Sequence, residues 1–193
     1  MYQLPNRIYL TGFMAVGKST IGRILANTIG YNFLDLDHAL AAREGMPVVD
    51  IFKLKGESYF RKEEATLLRQ ISEQNRVLVS LGGGTICFGD NCEFMKRNGV
   101  LVHIKVNPET LFLRIRAKKD RPIFLNEQGD MLPDDAIKVK ISEMMTQRLP
   151  FYEQAHITYE PQEQPVGQSV DQLKHILEHW QGLKPEPGTR DNK

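Results

Sequence analysis

The chain has 193 residues, of which 41% are hydrophobic and 25% charged, with a formal net charge of +1; that is the make-up of one globular domain with a real core, and it excludes a disordered chain. Near-neutral charge supplies no basic field for nucleic acid, no apolar run approaches the roughly 18 to 20 residues that span a bilayer, and the N-terminus lacks the cationic and apolar blocks of a secretion signal. Two cysteines, Cys87 and Cys92, cannot build a disulfide framework, so the expectation is a soluble, cytoplasmic protein with no membrane or nucleic-acid partner.

Strands and helices alternate along the chain, the pattern of a parallel sheet covered by helices. Residues 7–11 read as a short apolar strand, followed by Gly12-Phe13-Met14-Ala15-Val16-Gly17-Lys18-Ser19, which fits G-x-x-x-x-G-K-[ST] at every fixed position. From Lys18, the apolar Ile21, Ile24, Leu25 and Ile29 recur at helical spacing until Gly30 stops the helix. A glycine turn between an apolar strand and an amphipathic helix is the setting that a phosphate-binding loop requires. There the main-chain N–H groups converge on phosphates, aided by the positive end of the helix. Lys18 would reach the β- and γ-phosphates and the Ser19 hydroxyl would hold Mg²⁺, with Gly12, Ala15, Val16, Gly17 and Thr20 completing the nucleotide site. ATP or GTP is the expected ligand.

Residues 32–36 form a second strand candidate, at whose end Asp35 and Asp37 stand two apart, so that both carboxylates project from one face. One could hold Mg²⁺ near Ser19 and the other could accept a proton from a substrate hydroxyl; the pair reads equally as a helix cap at Asp37 with a solvated neighbour. A helix-rich stretch over residues 38–75 breaks near Gly45-Met46-Pro47 and at Gly56. Within it Arg61 and Glu64 share a helix face, and a guanidinium fork suits a carboxylate ligand. Residues 77–81 are a buried strand ending in Gly82-Gly83-Gly84. No acidic residue follows that strand, so a metal-holding carboxylate must come from elsewhere, and Asp35 is the nearest.

Residues 100–106 form another strand, with a helix started by Asn107-Pro108-Glu109. Between residues 117 and 134 the apolar period disappears, and a loop of that length in a compact domain suggests a lid. Ile137, Ile141, Met144, Met145 and Leu149 mark an amphipathic helix, residues 156–159 a short edge strand, and residues 170–180 a closing helix. Residues 182–193 are polar with two prolines and read as a flexible tail, leaving residues 1–181 as a single domain.

Taken in order, GFMAVGKS, FLDLD, GESYFRKEE, LGGG, DRP and RLPFYE resemble shikimate kinase, the ATP-dependent enzyme of the shikimate pathway, over about residues 8–159. The resemblance implies an α/β, P-loop NTPase-like three-layer sandwich: a five-stranded parallel sheet of order 2-3-1-4-5, flanked by helices, with a helical substrate-binding insertion at 38–64 and a lid at 117–134. It implies ATP and shikimate as partners, phosphorylation of the 3-hydroxyl in aromatic amino-acid biosynthesis, and a monomer. Ser19 would ligate Mg²⁺ with Asp35 in its outer shell, and Asp37 would bind shikimate hydroxyls and serve as candidate base. Arg61 and Arg148 would clamp the substrate carboxylate, Gly82, Gly83 and Gly84 would let the backbone approach it, and Arg121 would come from the lid to the transferring phosphoryl group. An arginine at the start of the lid would lie against adenine; Arg116 fits best, with Arg114 close by.

The family commonly carries Gly where this chain has Ala15 and a small residue where it has Val16, so a negative φ is expected at Ala15; Ile123-Phe124 stand where two leucines are frequent. His175 and His179 lie four apart on the closing helix, a metal-binding spacing without a third ligand, and read as structural. The basic run around Lys118 and Lys119 has no interleaved aromatics for stacking on bases. Rival readings are a kinase for another hydroxy acid such as gluconate, a non-catalytic ATP-sensing module, and a nucleic-acid-dependent ATPase.

Overall fold

The computed structural model describes residues 4–118 and 121–180. Strands β1 (Arg7–Thr11), β2 (Asn32–Asp35), β3 (Val77–Ser80), β4 (Val100–Ile104) and β5 (Ile157–Tyr159) form one sheet in the order β2-β3-β1-β4-β5. All pairings are parallel, with Tyr9 opposite Val79 on one side and Leu101 on the other. The expected order is therefore found. The central strands are apolar on both faces because helices cover both. Ile8, Leu10, Leu78, Val100 and Val102 pack towards α1 (Lys18–Ile29), α5 (Pro108–Arg116), α6 (Asp134–Tyr152) and α7 (Val166–Glu178). Tyr9, Val77, Val79 and Leu101 point the other way, to α3 (Val48–Ile71) and α4 (Asn91–Asn98).

The second strand ends one residue sooner than the sequence reading had it. Asp35 takes extended φ/ψ and its carboxylate accepts a hydrogen bond from the His38 N–H, capping α2 (Leu36–Glu44). The cap is thus Asp35, while Asp37 lies in the first helical turn. The break at Gly45 is a left-handed C-cap, and Gly56 interrupts α3 with φ 82° and ψ 167°, which only glycine adopts without strain. Leu40, Ile51 and Phe60 form a small core of their own, so this insertion is a packed unit.

Sequence reading missed α4, which has a polar run and buries only Asn91, Cys92 and Met95. The stretch read as a structureless lid has internal order. Pro122–Phe124 form a 3-10 turn, Phe124 is buried in the main core, and Leu125 bridges Met131. Leu149 is exposed and lies off the buried stripe of α6. Lys119 of the basic run and the tail at 182–193 lie outside the described residues. No helix among the described residues is long and apolar enough to cross a membrane.

Candidate active site

A cavity of about 570 Å³ opens at the carboxyl ends of β1, β2 and β3, where a parallel sheet presents its ligands. Its lining includes residues 14–21, Asp35, Asp37, Gly82 and Gly83, together with Arg114, Lys118, Arg121, Pro161, Gln162 and Gln164.

The loop between β1 and α1 is held open by backbone conformation. Gly12 (φ 138°) and Gly17 (φ 104°) take values suited to glycine, and a Cβ at Gly12 would lie 2.4 Å from the Ile104 carbonyl oxygen. Ala15 departs from expectation: its φ is +64°, not negative. The loop's shape overrides the residue's own preference, at a cost of about 1–2 kcal/mol. The Val16 side chain is buried in the core, so this residue contributes main chain to the cavity, while Thr20 is an exposed lining residue.

Lys18 is buried and donates to the carbonyls of Gly12 (2.7 Å) and Phe13 (3.0 Å). Burial pushes its ammonium down to about 8, against the pull of Asp37 and Asp35. The Ser19 hydroxyl donates to Asp35 at 2.5 Å, so the two residues read as metal-holding are adjacent hard oxygens. Asp37 is pushed up to about 6, first by withdrawal from water and then by Glu64 and Asp35, with Lys18 and Arg61 opposing.

Three residues expected at the acid-binding end lie on three successive glycines. A Cβ at Gly82 would meet Asp37 at 2.6 Å, one at Gly83 would meet the Arg148 guanidinium at 3.1 Å, and one at Gly84 would meet that of Arg61 at 2.6 Å. Both guanidiniums also act on the Cys87 thiol, so they converge on one region. The Arg61 side chain is 14% exposed and pairs with the fully buried Glu64 at 2.8 Å and with Glu57 at 3.3 Å. Glu64 also accepts from the Thr85 hydroxyl at 2.6 Å. Arg148 sits over the Phe13 ring, 5.7 Å from its centre.

Tyr152, to which sequence reading gave no role, donates to the Gly83 carbonyl at 2.6 Å and stacks on His103. Burial raises its phenol to about 12 and lowers His103 to about 4, so both are neutral near pH 7. Tyr152 lies four residues after Arg148 on α6, and that i, i+4 spacing was the available signal.

Arg121 lines the cavity near Lys18, on which it acts electrostatically. Arg116 does not line it. Two residues along a helix turn a side chain by about 200°, and Arg116 points to Asp134, paired at 2.8 Å. Arg114 is the arginine at the loop, donating to the carbonyls of Ala15 and Val16, both at 3.1 Å. The rings of His175 and His179 lie 4.1 Å apart and tilted by 47°, and among the described residues no group of three or more His, Cys, Asp or Glu could hold a metal. The thiols of Cys87 and Cys92 are raised by burial.

A family profile described as shikimate kinase matches residues 14–178. A shikimate kinase of Chlorobium phaeobacteroides is 42% identical over 173 residues, 90% of this chain and 91% of the relative. The crystal structure of shikimate kinase from Bacteroides thetaiotaomicron superposes with a TM-score of 0.83 at 37% identity, covering 90% of this chain and 99% of that one. The Acinetobacter baumannii enzyme, solved in complex with shikimate, gives a TM-score of 0.79 at 30% identity, covering 91% and 94%.

Proposed function

The chain belongs to the shikimate kinase family, and we propose that its residues divide the work between an acid clamp and a phosphate ring. Its activity is ATP-dependent phosphorylation of shikimate, in aromatic amino-acid biosynthesis. Arg61 and Arg148 grip the acceptor carboxylate as charge-assisted forks. Asp37 receives the 3-hydroxyl. With its carboxyl near 6 it is largely ionised at neutral pH yet basic enough to take the proton as oxygen bonds to the γ-phosphorus and ADP departs. Lys18 exchanges its two loop carbonyls for phosphate oxygens. Arg121, which lines the cavity near Lys18, neutralises the transferring group and helps keep out water, which would otherwise accept it.

The Ser19 hydroxyl and the Asp35 carboxylate, hard oxygens 2.5 Å apart, fit Mg²⁺. Bound there, the ion would screen phosphate charge. The cavity between Arg114 and Pro161, Gln162 and Gln164 is the space left for adenine. We take the enzyme to act as a cytoplasmic monomer on these two small molecules, with no nucleic acid or membrane as partner.

The observation that carries the reading is the triplet Gly82-Gly83-Gly84, over which Asp37, Arg148 and Arg61 lie so close that a Cβ would crowd each of them, at 2.6, 3.1 and 2.6 Å. ADP release measured with shikimate, quinate and gluconate as acceptors tests it. Turnover is expected with shikimate well above the other two; folded protein with no shikimate-dependent release overturns it.

A further inference from the structure

The strained residue of the phosphate loop and the arginine at the loop's edge touch. Ala15 holds φ +64°, a conformation that an L residue leaves when nothing retains it. Arg114 donates from one guanidinium nitrogen to the carbonyls of Ala15 and Val16, both at 3.1 Å. In a trans peptide the N–H points opposite to the C=O. Fixing those two carbonyls therefore fixes the amides of Val16 and Gly17, and both residues line the cavity.

We infer that Arg114 is a positioning residue for the phosphate loop, holding Ala15 in the left-handed turn that aims the loop's amides at the triphosphate. The inference rests on the loop being the nucleotide-phosphate site proposed above. It gives this chain a reason to tolerate Ala15: the guanidinium supplies from outside what glycine would supply by its freedom. Losing the guanidinium lets the loop relax to a form that binds phosphate poorly, and apparent affinity falls by the fraction of loop left competent.

Arg114 also borders the space proposed for adenine, so the test separates phosphate from base. Inorganic tripolyphosphate, which has no base to stack, is titrated calorimetrically into the wild-type chain, Arg114→Ala, Ala15→Gly and the double variant, and the ATP KM of each is measured alongside. Arg114 is exposed on α5, so its truncation leaves the core untouched. We expect Arg114→Ala to weaken tripolyphosphate binding about five- to thirtyfold, the range corresponding to a left-handed residue left unsupported. Ala15→Gly should restore most of that loss when added to Arg114→Ala, and the ATP KM should follow the same pattern. Equal losses with and without Ala15→Gly would overturn the inference, as would a loss seen with ATP and not with tripolyphosphate. Wild-type protein that binds tripolyphosphate without shikimate-dependent turnover would instead count against the kinase reading.

Discussion

On the proposed phosphate side of the cleft the groups on offer are main-chain amides from one short run around Gly12 and Gly17, whereas on the proposed acid side they are side chains from Asp37, Arg61 and Arg148, brought together from three helices onto one glycine triplet. The first construction depends on backbone shape and tolerates a change of side chain, as Ala15 and the core-facing Val16 illustrate. The second depends on the absence of side chains beneath it and on second partners that pin each arginine, Glu64 for Arg61 and Phe13 for Arg148. Damage on the acid side should therefore register in shikimate kinetics and leave nucleotide binding nearly intact.

The hardest test of that separation is Asp37→Asn, which removes the proposed base while keeping its shape. Its kcat is expected to fall about 10²- to 10⁴-fold, with the ATP KM within a few-fold of wild type; parallel loss of ATP affinity would join the two halves. Gly84→Ala places a methyl 2.6 Å from the Arg61 guanidinium, which Glu64 and Glu57 hold in place. Overpacking of that order should raise the shikimate KM roughly tenfold without moving that for ATP.

The two sides should also titrate in opposite directions. In the proposed role Asp37 must be the carboxylate, so kcat/KM for shikimate should fall about tenfold per pH unit below about 6. In the proposed role Lys18 must be the ammonium, so kcat/KM for ATP should fall above about 8. An acidic limb that stays in place in Asp37→Asn would assign it to another group. Tyr152→Phe deletes the hydroxyl that donates to the Gly83 carbonyl and also interacts with the Arg148 guanidinium. A neutral bond of this kind is worth about 1 kcal/mol, so a shikimate KM raised about fivefold is expected.

The same contrast explains what could be read from sequence. The loop, its strand and its helix are encoded in consecutive residues, so pattern and periodicity located them. The apolar strands were found because both faces of the sheet are covered. Helix α4 was missed because its apolar face is short, Cys92 and Met95 within a polar run of eight residues. The φ of Ala15 was misjudged because intrinsic preference was weighed without the two hydrogen bonds from Arg114, a residue 99 positions away. Arg116 was preferred to Arg114 because sequence spacing does not say which side of α5 faces the loop. Asp37, Arg61 and Arg148 were placed through an ordered resemblance, since nothing local tells a helix that its arginine will rest on a distant glycine. The supports beneath them, Glu64 with Thr85 and Tyr152 with Gly83, span 21 and 69 residues and have no local signature.

The central claim is that two guanidiniums on the glycine triplet read the acceptor's carboxylate. It is tested most directly by pairing a change in the enzyme with a change in the substrate: the kcat/KM of shikimate and of its methyl ester, measured for wild type and for Arg61→Ala. If the clamp is as described, the ester costs wild type about 10²-fold, the scale of removing one partner of a buried charged pair, and costs Arg61→Ala far less, with ATP binding unchanged throughout. An ester penalty of the same size in both proteins would show that Arg61 does not hold the carboxylate, and the account of the acid side would fall.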